Sequence, residues 1–121
     1  MDDEGVRARL RAALKTAMKE RDRAATATLR SALAALDNAE AVDPAGAGLA
    51  EVEHERIAGT VGGLGAGEVP RATLDEEGAR AVVRAEADER RAAADDYDRV
   101  GEAERAQALR AEAALLDELL G

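Results

Sequence analysis

The residues able to do chemistry are few and scattered. His54 is the only histidine, set among Glu51, Glu53 and Glu55; Ser31 is the only serine, and cysteine is absent. One imidazole among carboxylates could hold a hard cation weakly, but a zinc site wants a second imidazole one helical turn away, and no H-E-x-x-H occurs. No Ser-His-Asp spacing supplies an activated nucleophile. Without cysteine there is neither a thiolate ligand nor a disulfide framework, and the redox compartment stays open. The cluster Gly62-Gly63-Leu64-Gly65-Ala66-Gly67 fits neither phosphate-binding glycine motif and no Lys follows it, so it reads as a linker. Carboxylates are plentiful at Glu86, Asp88, Glu89, Asp95, Asp96 and Asp98. An acid–base pair needs one desolvated member, and this stretch reads as exposed. No catalytic residue, cofactor or metal ligand is expected.

The charge is more informative. The formal net charge is −9, yet residues 1–36 hold eight basic against five acidic side chains, and residues 37–121 hold nine against twenty-one. Arg7, Arg11, Lys15 and Lys19 recur every fourth residue as a basic stripe, which Arg21, Arg23 and Arg30 extend. One reading makes Arg7, Arg11, Lys15, Lys19, Arg23 and Arg30 contacts to RNA or phosphate. The other leaves the stripe solvated or paired with acidic helices of the same chain. The overall acidity opposes tight nucleic-acid binding, and stacking aromatics are missing, since Tyr97 is the only aromatic residue. Glu86 and Arg90, one helical turn apart, form the expected structural ion pair.

Helices must position these groups. One Ile and no Phe or Trp leave little to cover a pleated sheet. Val6, Leu10, Leu14 and Met18, with Ala13 and Ala17, predict a first helix capped by the acidic start Asp2-Asp3-Glu4. Asp22 suits the N-cap of a second, carrying Leu29, Leu33 and Leu36. Residues 41–73 contain seven of the eleven Gly and both Pro, with a short helix expected at 49–57. A third helix begins at a Thr73/Glu76 capping box or at Asp75, buries a face including Val82, Val83, Tyr97 and Val100, and stops at Gly101. A fourth follows to Leu120. The expected architecture is all-α: two antiparallel helical hairpins, 4–40 and 74–120, joined by a Gly-rich irregular connection within one domain spanning 1–121. Leu115, Leu116, Leu119 and Leu120 widen the last apolar face, which suggests a partner or self-association there. The acidic N-terminus has no leader-like stretch, and the longest uncharged run, 57–67, is too short to cross a bilayer, so a cytoplasmic protein without membrane contact is expected.

Ala17-Met18-Lys19-Glu20-Arg21-Asp22 followed by Leu29-Arg30-Ser31-Ala32-Leu33 and Asn38-Ala39-Glu40 resembles the opening of the GatB/YqeY family. Val82-Val83-Arg84-Ala85-Glu86, Glu89-Arg90-Arg91 and Asp96-Tyr97-Asp98-Arg99-Val100-Gly101 are similar to its second half, so the resemblance covers about 6–40 and 74–120. It implies the helical region found at the end of the B subunit of tRNA-dependent amidotransferases, which are carbon–nitrogen ligases using glutamine as amido-N-donor. The implied role is a non-catalytic accessory module that handles tRNA, with Arg30, Glu40, Glu86 and Arg90 at the family's typical positions as structural contacts. Where that family continues through Tyr-Leu-Pro into a small tail domain, this sequence reads Leu119-Leu120-Gly121. The alternative function is a protein-interaction or homodimerisation module with no nucleic-acid role.

Overall fold

A computed structural model describes residues 5–41 and 74–121 of the chain. Four helices occupy them: α1 (Val6–Lys19), α2 (Arg23–Ala41), α3 (Glu76–Arg99) and α4 (Ala103–Leu120). The described residues contain no strand, so the fold is all-α. The helix expected at 49–57, His54 and the glycine cluster lie outside the described residues. The chain divides into two compact units, Met1–Leu36 with Asp75–Gly121, and Asp37–Leu74. In the second, the Leu74 N–H donates to Glu40 Oε2 at 3.2 Å.

Within the first unit, α3 and α4 pack along their length, and α1 packs against both. Cross-helix ion pairs set the direction of α3 and α4. Arg90 meets Glu112, Arg91 meets Asp117, and Asp95 meets Arg110. Residues near the start of α4 face the end of α3, so these two helices run antiparallel.

Among the described residues, half of the buried apolar ones are alanines: Ala17, Ala32, Ala79, Ala87, Ala94, Ala106 and Ala113. Alanine is the best helix former and lets helix axes approach closely, but each buries far less surface than the roughly 1.5–3 kcal/mol of a Leu or Val. The largest fully buried side chains among the described residues are Leu10, Leu29, Leu36, Leu116, Val6 and Val83. Thr28 is also buried, and its Oγ1 is satisfied by donating to the Ala24 carbonyl at 3.0 Å.

The first apolar stripe departs from expectation at its end. Met18 is 49% exposed while Ala17 is buried. An α-helix turns about 100° per residue, so a spacing of four drifts about 40° each step and carries Met18 about 120° away from Val6. Ala17, eleven residues after Val6, returns to within about 20° of it. Val100 also leaves the core, at 70% exposed, because it is the C-cap of α3 and already belongs to the turn.

The leucines of α4 require a larger correction. Leu116 and Leu120 are buried inside the chain, and Leu115 and Leu119 are half-buried. Leu116 and Leu120 therefore belong to the core of the first unit, while Leu115 lines an open concavity with Asp22, Ala24, Ala25 and Thr28.

Helix ends are tied across the unit. Gly5, not an acidic side chain, is the N-cap of α1 and supplies no side-chain acceptor. Instead the Val6 N–H donates to Glu76 Oε2 on α3 at 3.0 Å. The last turn of α4 has no basic residue of its own. Arg9 Nη1 of α1 donates to the Leu119 carbonyl at 2.9 Å, and Arg80 of α3 donates to the Leu120 carbonyl. Positive charge at a helix C-terminus satisfies orphan carbonyls and opposes the macrodipole. The other starts are local: Asp22 Oδ1 accepts from Ala25 N at 3.0 Å, and Asp75 Oδ1 accepts from Gly78 N at 2.7 Å.

Candidate anion-binding surface

Most arginines of α3 and α4 are paired with carboxylates of the same two helices. Arg90, with its side chain 14% exposed, donates to Glu86 Oε1 at 3.0 Å, Glu112 Oε1 at 2.9 Å and Ser31 Oγ at 3.2 Å. One guanidinium thereby ties α2, α3 and α4, which is what a fork of five donors does well. Arg91 bridges Asp88 and Asp117, both at 2.7 Å. Arg110 bridges Asp95 and Asp98 at 2.7 and 2.8 Å. Hydrogen bonds to these carboxylates hold both guanidiniums above their ordinary pKa. Arg99 pairs with Asp96, and Arg105 lies 5.6 Å from the centroid of the Tyr97 ring. The Glu86–Arg90 pair lies within α3, and it is the bonds of Arg90 to Glu112 and Ser31 that reach the neighbouring helices. Among the described residues, no three His, Asp or Glu side chains gather as metal ligands. No helix there is long and apolar enough to cross a membrane.

The cations of α1 and the turn after it are placed differently. Arg11, Lys15, Lys19, Arg21 and Arg23 are all exposed, and among the described residues none of them pairs with a carboxylate. Arg7, at the start of the stripe, is half-buried and engaged by other groups. Spaced by four, the stripe winds slowly around α1 beside the apolar one and delivers Lys19 to the turn.

The turn itself is tight. The Arg21 N–H donates to the Met18 carbonyl at 3.1 Å, and the Asp22 N–H reaches back to the Ala17 carbonyl at 2.9 Å. That paired arrangement ends a helix with its C′ residue left-handed, a place usually given to glycine. Here the residue is Arg21, at φ +56°. Immediately beyond it, Asp22 starts α2, which projects Arg23 and Arg30 beside the turn. Arg30 Nη2 lies 3.8 Å from Met18 Sδ.

Met18, Arg21, Arg23, Thr26, Ala27 and Arg30 line an open concavity of about 430 Å³. Three guanidiniums around an exposed thioether make a surface that attracts anions and offers an apolar contact. Of the residues the sequence singled out for phosphate, the structure brings Arg23 and Arg30 together here, places Arg11, Lys15 and Lys19 along the approach, and leaves Arg7 apart. The sequence reading groups Arg21 with the basic stripe but foresees neither its left-handed backbone nor Met18 as a member of the site. The drift of a four-residue spacing flags the first, and a three-residue join lacking glycine flags the second.

No known family, curated protein or solved structure matches this chain.

Proposed function

We propose that this protein is a non-catalytic helical binding module that grips a polyanion, RNA in the first instance, along α1 and the α1–α2 turn. One observation carries the reading. Arg11, Lys15, Lys19, Arg21 and Arg23 stand exposed and outside any ion pair among the described residues, whereas the α3–α4 arginines are almost all engaged by carboxylates. Charges left outward in this way release counterions when phosphates replace them. The resemblance to the GatB/YqeY helical region supports tRNA as the RNA to try first. A carbon–nitrogen ligase role belongs with that family's larger enzymes, to which such a module would be an accessory.

Filter retention of tRNA tests it. Wild-type protein should retain tRNA in dilute buffer, and three phosphate contacts should weaken binding roughly 40-fold between 50 and 200 mM salt. Changing Arg11, Lys15 and Lys19 to Glu should abolish retention while leaving the helical circular dichroism intact. No retention by the wild type in dilute buffer overturns the reading. A protein-interaction role is the second reading, although Leu116 and Leu120 are buried within the chain and only Leu115 and Leu119 keep part of their surface for it.

A further inference from the structure

The polyanion reading leaves open which form of nucleic acid the module prefers. Resting on that reading, we infer that the concavity at the α1–α2 turn takes an unpaired nucleobase, stacked against the wall that Met18 and the Arg30 guanidinium form together, while Arg21, Arg23 and the exposed cations of α1 take the flanking phosphates.

Three features lead there. The first is composition. A site made only for phosphates needs cations, yet this one places a large apolar side chain, 49% exposed, among three arginines. Thioether sulfur packs favourably on aromatic rings, and a planar guanidinium stacks on a base. Together they supply the stacking partners that a chain with one aromatic residue otherwise lacks. The second is preorganisation. Arg30 already lies 3.8 Å from Met18 Sδ, so the two groups share one wall before any ligand arrives. The third is the backbone. Arg21 keeps a left-handed conformation that glycine would adopt without strain. Residues held this way cluster where strain serves a ligand, and here the side chain that glycine would remove is a cation at the mouth of the concavity.

A duplex buries its base faces in the stack, so it could engage the cations but not this wall. An acidic polypeptide could also engage the cations, yet it brings no base to stack. The occupant that uses both the charges and the thioether is a single-stranded or looped nucleotide.

Fluorescence anisotropy separates these cases. The probes are a short labelled single-stranded RNA, the same strand paired as a duplex, an abasic strand of equal length, and polyglutamate. The wild type should bind the single strand tighter than the duplex or the abasic strand, and polyglutamate weakest. Met18→Ala should weaken the single strand roughly threefold to tenfold, with no effect on the abasic strand and an unchanged salt dependence. Arg30→Lys, which keeps the charge and loses the plane, should act the same way. Equal loss on single and abasic strands, or no loss on either, overturns the base-stacking inference while the polyanion reading stands. Polyglutamate binding as tight as RNA overturns it in favour of an acidic protein partner. Failure of the wild type to bind any probe in dilute buffer overturns both.

Discussion

Between α1 and α2 the chain turns over Glu20, Arg21 and Asp22; between α3 and α4 it turns over Val100, Gly101 and Glu102. The backbones match. In the second turn the Gly101 N–H donates to the Asp98 carbonyl at 3.1 Å and the Glu102 N–H to the Tyr97 carbonyl at 2.8 Å, the same pair of bonds that closes the first. Both central residues are left-handed, Arg21 at φ +56° and Gly101 at φ +77°. The side chains differ in kind. At the second turn glycine accepts the conformation freely, and neighbouring charges pair off as Arg99 with Asp96 and Arg110 with Asp95 and Asp98. At the first turn an arginine tolerates the conformation, and the cations around it face water. One turn is arranged for stability. The other accepts strain and leaves its charge outward, which is how a binding surface differs from a structural joint.

The largest test of that contrast is Arg90→Ala. It strands Glu86 and Glu112, both partly buried, and should cost about 2–4 kcal/mol in urea denaturation. A cost below about 1 kcal/mol would show that the paired side of the molecule owes little to its ion network. Gly101→Ala comes next. A Cβ there meets no atom within 4 Å, so the change isolates the backbone term and should cost about 1–2 kcal/mol. Arg21→Gly is its mirror image, expected to raise stability by somewhat under about 1 kcal/mol while weakening RNA binding. Lost stability with unchanged binding would erase the distinction between the turns. Smallest is Lys15→Ala, which should shift stability by less than about 0.5 kcal/mol and flatten the salt dependence of RNA binding by about one counterion.

What the sequence reveals here is what is decided locally. Asp22, Asp75 and Gly101 announce helix boundaries because a cap needs only its own few neighbours. The Glu86–Arg90 pair is visible because four residues make one helical turn. Contacts set by helix packing were illegible. Nothing near Val6 says that Glu76 accepts from its N–H, and nothing near Arg90 points to Glu112 or Ser31. Leu116 and Leu120 looked like a docking face because a helix pair cannot cover so wide a stripe, and the third helix that helps to cover it is distant in sequence. Met18 leaves the apolar face because a strict spacing of four drifts around the helix, which a list of residues does not display. The basic stripe is legible as residues, but that Arg11, Lys15 and Lys19 stand outside any ion pair among the described residues while Arg7 is engaged is not, since that depends on which acids the fold brings near.

The borrowed helix ends have a consequence for motion. Terminal turns normally come apart independently, at little cost. Here the opening amide of α1 is held by Glu76, and the closing carbonyls of α4 are held by Arg9 and Arg80. Releasing any one terminus therefore disturbs two others, and hydrogen exchange should show Val6 and the final turn of α4 opening as a single event.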